Sequence, residues 1–324
     1  MPGAPTPRQI AKDLLNGVRP PRPLFVPLVF ELGAKVENLT PDLYRKNPTK
    51  IVSALRQMRS PSGSDGVICY FDSALEIEAL GGKGVPIESL AAAEELPQRG
   101  RIPIATEVIR RMNATPNRDF LLAAGVTGPL ALAAQIAEAN SAASLRYEEI
   151  PDAAKELAGS VATQITNAFL EAGADLILLH ELVLPELSLD GVAEWASFLA
   201  PAINATRFFE ALPVLSLADV ASTLANWDAI LQHVQDAVIC VPLEAAAKRQ
   251  EQGQPAAGSP ALGITLPAAM FSSQGAAENP SLTTLDSLLR SVASPVFLTT
   301  DRDFTEAADL RNLVQFAGRI VRAE

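Results

Sequence analysis

The chain has little of what builds metal centres and disulfide scaffolds: its 324 residues hold two cysteines, Cys69 and Cys240, and two histidines, His180 and His233. Two cysteines cannot make a disulfide framework, and so few His and Cys side chains disfavour a zinc enzyme, so no metal site is expected. Basic residues are also short. The 26 Lys and Arg against 37 Asp and Glu give a formal charge of -11, which argues against nucleic acid as a partner, since phosphate backbones are bound by clustered Lys and Arg. Nowhere do about 18 uncharged apolar residues run together, as a membrane span requires. The N-terminal MPGAPTPRQIAKDLLNG lacks the apolar core of a signal peptide. The expectation is a cytoplasmic protein with no membrane contact. No G-x-G-x-x-G follows the first apolar run, which removes the main sign of a dinucleotide-binding sheet.

What is present is alternation. Short apolar runs at Leu24 to Phe30, Gly66 to Phe71, Phe120 to Val126, Asp175 to His180, Pro213 to Leu217, Ala237 to Val241, Ala261 to Thr265 and Pro295 to Thr299 read as strands. Longer stretches between them read as helices, among them Pro41 to Arg59 and Asp152 to Ala172, the latter closed by Gly173 at a C-cap position. Such alternation implies βα units around a parallel sheet, and eight of them fit a single α/β (β/α)8 TIM barrel spanning residues 1–324. Two insertions are expected, after strands 2 and 6: Lys83 to Arg118, longer than one helix, and Glu244 to Pro260, which reads as a solvated loop.

A barrel keeps its chemistry at the C-terminal ends of its strands. The residues that fall there are Phe30 and Glu31, with Lys35 just beyond, then Asp72, Gly128, His180 and Glu181, Ser216, and Asp301 and Arg302. Asp72 ends the very apolar run GVICYF and precedes Gly81, Gly82 and Gly84. Its carboxylate can do acid/base or electrostatic work or cap the helix that follows, and the glycines can form an anion nest or a plain turn. His180 beside Glu181 is a candidate proton-transfer pair, although adjacent strand residues point to opposite faces, so only one of them looks into the barrel mouth. Arg302 can hold a substrate carboxylate or pair with neighbouring acids. The two cysteines sit within apolar strand runs, as buried hydrophobes do.

The segment YFDSALEIEALGG, with Ala79, Leu80 and Gly81 at fixed spacing after Asp72, resembles the uroporphyrinogen decarboxylase superfamily, which also includes corrinoid-linked methyltransferases. The opening DLLNGVRPPRP, AAGVTGPLALAA with Gly128, and EAGADLILL before His180 extend the resemblance over nearly the whole chain. It implies cofactor-independent decarboxylation of a tetrapyrrole or smaller carboxylate substrate, with Asp72 stabilising developing charge; the strand-end positions add His180 as a second catalytic candidate and Phe30, Glu31, Lys35, Gly128, Glu181, Ser216 and Arg302 as candidates around the substrate. A homodimer is also implied. The family's R-Q-A-G-R segment falls on Phe30 to Ala34, without its arginines. In the methyltransferase branch the zinc-binding His-x-Cys falls on Ser216-Leu217-Ala218, and the second cysteine near Leu298 to Thr300. The alternatives are a zinc-independent corrinoid-linked methyltransferase of demethylase type, with a corrinoid protein as partner, and a non-catalytic ligand-binding barrel.

Overall fold

The computed structural model describes residues 5–83, 85, 87–137, 146–182, 187–253, 261–271, 280–290, 295–304 and 310–321. Eight parallel strands alternate with helices: β1 (Leu24–Phe25), β2 (Gly66–Ile68), β3 (Leu121–Thr127), β4 (Leu176–Glu181), β5 (Leu212–Leu217), β6 (Val238–Pro242), β7 (Leu262–Leu266) and β8 (Phe297–Thr300). Each overlaps its expected run. Ladder pairing follows the order β1-β8-β7-β6-β5-β4-β3-β2, a TIM-barrel-like sheet that lacks a regular ladder only between β1 and β2. There Asp65 substitutes for it: its N–H donates to the Phe25 carbonyl at 2.9 Å, and its Oδ2 accepts the Phe25 N–H at 2.8 Å. Arg22 holds that carboxylate bidentately at 2.8 and 2.7 Å.

β1 is shorter than its apolar run because Pro27 has no N–H to give the ladder. The chain runs on beside β8 instead, with the Val26 N–H on the Leu298 carbonyl and the Leu28 N–H on Thr300 Oγ1. The strands are buried on both faces, and alternation sorts their side chains into two cores. In β4, Leu176 and Leu178 join Phe71, Leu212 and Val238 in a compact group inside the barrel, whereas Ile177 and Leu179 pack outward under the helices. The helix Pro7–Leu15 stops the lower end with Ile10, Ala11 and Leu14.

Two helical expectations need correction. The stretch Pro41 to Arg59 is two helices, Pro41–Arg45 and Pro48–Ser62, because Asn47 precedes a proline and caps the second helix through the Lys50 N–H at 3.1 Å. The segment expected as a loop from Glu244 is helical over Leu243–Glu251, with Glu244 paired to Lys248 one turn on; residues 254–260 lie outside the described residues. The stretch from Lys83 to Arg118 carries short 3-10 turns and the helix Ile102–Asn113. No helix among the described residues is long and apolar enough to cross a membrane.

Candidate functional site

Past its last regular residue β2 stays hydrogen-bonded to β3, with the Cys69 N–H on the Ala123 carbonyl and the Gly125 N–H on the Tyr70 carbonyl. That fixes the direction in which Asp72 leaves the sheet. Both of the roles open to Asp72 are present in one side chain. Its Oδ1 accepts the Ala74 N–H at 3.0 Å and shapes the turn into the helix Leu75–Leu80, while Oδ2 receives Arg101 Nη1 at 2.5 Å and stands 3.3 Å from Arg45 Nε. Arg101 is buried, spending Nε and Nη2 on Glu78 Oε2 at 2.9 and 2.7 Å and reaching the Tyr70 hydroxyl at 3.2 Å. Arg45 is more open, and its Nε also donates to Glu31 Oε1 at 2.6 Å. Glu31 in turn donates its backbone N–H to Asp303 Oδ2 at 3.0 Å. Burial, with the Glu31 carboxylate beside it, pushes the Asp303 carboxyl up to about 8. The result is one charge network drawn from β1, β2, β8 and the stretch between β2 and β3.

One turn beyond Asp72, Glu76 is fully buried and accepts the Thr127 N–H at 3.0 Å and hydroxyl at 2.8 Å, tying this loop to the end of β3; burial pushes its carboxyl up. The glycines form a turn: Gly81 and Gly82, at φ 133° and 104°, give their N–H groups to Glu78 and Ile77. Gly84 lies outside the described residues.

His180 and Glu181 part company, as strand alternation requires. His180 faces the barrel interior, edge-on to Phe71 with ring centroids 5.4 Å apart. Its Nε2 lies 3.0 Å from the Asp301 carbonyl, which only accepts, so this nitrogen carries the proton. Burial pushes the imidazole down to about 4, and Nδ1 is buried without a hydrogen-bond partner among the described residues. Glu181 faces outward, where its carboxylate accepts the N–H groups of Leu130 and Ala131 at the start of the helix Pro129–Ile136 and the Trp195 indole at 2.9 Å. Burial opposes these three donors and leaves the carboxyl at about 7. His180 and Glu181 therefore do not form a proton-transfer pair.

The other expected residues are spread out. Phe30 is fully buried between Tyr44 and Tyr70, with ring centroids at 5.2 and 4.7 Å, so its side chain serves packing. Gly128 lies against the Glu181 carboxylate. Ser216 is buried with its hydroxyl 3.2 Å from Thr265 Oγ1. Lys35 is exposed on the helix Leu32–Val36. Arg302 is exposed and rests on Asp301 at 3.2 Å. Only Glu31 and Asp72 share one site, and Arg45, Arg101, Glu78 and Asp303, the side chains that complete it, were not singled out by sequence. Arg101 sits in the long stretch between β2 and β3, and its one sequence signal is the Arg-Ile-Pro at a helix start.

The donor set at the ends of β5 and β8 does not fit zinc. Ser216 and Ala218 stand where the resemblance puts a histidine and a thiolate, Leu298 to Thr300 hold no second thiolate, and both cysteine thiols of the chain are buried and pushed up by desolvation.

Comparison with known proteins narrows the family. No curated protein matches the chain. Among solved structures, a methyltransferase from Methanosarcina mazei superposes with a TM-score of 0.76 at 17% identity, covering 98% of this chain and 99% of its own. D-allulose 3-epimerase from Methylomonas sp. reaches 0.47 at 9% identity over 94% and 97%. At 17% identity the likeness to the methyltransferase speaks for fold alone. The family model described as uroporphyrinogen decarboxylase (URO-D) matches residues 6–206, from the helix that stops the barrel through the Asp72 loop to the helix behind β4, and the chain belongs to that family.

Proposed function

We propose that the chain is an enzyme that decarboxylates a small carboxylate substrate without a resident metal, Arg45 receiving the carboxylate and Asp72 facing the positive charge that develops on the substrate. The observation that supports this reading is the grip on Asp72, whose Oδ2 lies between the buried Arg101 and the accessible Arg45. In such a reaction the bond to the departing carboxylate breaks heterolytically and its electron pair enters an adjacent cationic system. A fixed, desolvated carboxylate beside that system stabilises it, and a proton then replaces carbon dioxide on carbon. The substrate is small or weakly charged in this reading, because Glu31 and Glu78 flank the two arginines and a polycarboxylate would meet them first.

Carbon dioxide release from a panel of small carboxylates tests the proposal. Asp72→Asn is expected to lower kcat/KM by about 100-fold or more with the circular dichroism spectrum unchanged; a folded variant that keeps full activity would sink it. A second reading, zinc-independent methyl transfer, is supported by the superposition on the M. mazei methyltransferase along almost the full length of both chains. Saturable binding of methylcobalamin, with no carbon dioxide released from any carboxylate, would favour it.

A further inference from the structure

Arg101 has every nitrogen engaged within the network, whereas Arg45 does not. Its Nε serves both Glu31 and Asp72, its Nη1 has only the exposed Asp42 at 3.7 Å, and its Nη2 has no partner among the described residues. Glu31 mirrors this. Its Oε1 is held by Arg45 at 2.6 Å, its backbone is latched to Asp303, and Oε2 has no partner among the described residues. Both side chains are partly open, at 27% and 20% exposure. Free donors and a free acceptor therefore stand side by side on two groups that hold each other in place. A guanidinium fork with open Nη groups is suited to one carboxylate. An oxygen of Glu31, with Asp42 and Asp72 near, attracts a protonated nitrogen and repels a second carboxylate.

We propose that this patch selects a zwitterion: a small molecule whose single carboxylate sits on the Nη groups of Arg45 and whose ammonium or other protonated nitrogen, a few ångströms away, sits on Glu31 Oε2. This rests on the reading of Arg45 as the carboxylate receptor, and it makes Glu31, in the segment where the family's arginines would fall, the residue that sets substrate class. A polyanion is turned away by Glu31 and a simple amine by Arg45.

The test uses the full chain and three probes of one skeleton, β-alanine, propionate and propylamine, followed by NMR through the arginine Nε–H resonances. β-Alanine is expected to bind at least tenfold more tightly than either of the others. Arg45→Met and the charge-conserving Arg45→Lys should both weaken it. Glu31→Gln, with its amide spectrum otherwise unchanged, should remove the preference so that propionate binds as well as β-alanine. Equal affinity for propionate and β-alanine in the unaltered protein, no binding of any probe, or a preference that survives Glu31→Gln would each overturn the proposal. Binding selectivity without carbon dioxide release would remove the decarboxylase reading alone.

Discussion

Gly128 has no side chain because Glu181 occupies the space: a β-carbon there would meet Glu181 Cδ at 2.2 Å. The glutamate cannot swing aside, since its carboxylate is held by two backbone N–H groups and the Trp195 indole. Gly128→Ala is therefore expected to destabilise the fold by about 1–3 kcal/mol, as overpacking does, measured by urea unfolding. An unchanged midpoint would mean that Glu181 has another resting place. The protein has in effect filled its own anion site, a helix N-terminus, with a carboxylate from the neighbouring strand. The sequence places His180 and Glu181 at a strand end and shows that only one of them faces inward. Which one depends on the phase of β4 in the barrel, a matter of packing between strands rather than of the run DLILLHE itself.

At the scale of elements, the weak seam is between β1 and β2, and Asp65 closes it. Its side chain is buried, accepts the Phe25 N–H and pairs bidentately with Arg22. Asp65→Ala would take the carboxylate from Arg22 and leave the buried Phe25 N–H without its acceptor, with an expected loss of about 1–3 kcal/mol. Thermal unfolding checks it, and a loss below 1 kcal/mol would show that the seam is held by packing alone. The break between the helices Pro41–Arg45 and Pro48–Ser62 matters for the site as well. Ending the first helix at Arg45 leaves that side chain beside Glu31 and Asp72. Asn47-Pro48 was a readable stop signal, yet the apolar spacing from Leu43 to Met58 reads as one continuous helix face. Arg101 reaches Asp72 from 29 residues away in sequence, a separation that no local pattern encodes.

For the whole molecule, buried titratable groups set the pH response. Glu181 and Asp303 rise from their ordinary values of 4.5 and 3.8 to about 7 and about 8, so folding binds their protons more tightly. The stability they contribute is fully present below their unfolded values and lost as pH rises through 7 and 8. His180 works the other way, lowered from 6.5 to about 4: its contribution is present above 6.5 and lost as pH falls through 4. Each group changes stability by about 1.4 kcal/mol per pH unit while it titrates. From pH 5.5 to 8.5 the two acids outweigh the histidine, so the protein is expected to be more stable at the lower pH by on the order of 2–4 kcal/mol. Denaturant unfolding at the two pH values decides it; equal or greater stability at pH 8.5 would refute the assignment.

The sequence by itself determined the architecture: eight apolar runs alternating with amphipathic ones specify a parallel α/β barrel, because hydrophobic periodicity is a local property that each βα unit carries in its own residues. The motif from Tyr70 to Gly82 also placed Asp72 at a strand end and pointed to the family. Tertiary structure alone decided the company Asp72 keeps. Arg45, Arg101, Glu31 and Asp303 come together only because closing the barrel brings the ends of β8, β1 and β2 to one rim and folds the stretch before β3 over it. Charge pairing acts through space at a few ångströms, so it follows the closed sheet and not the order of residues along the chain.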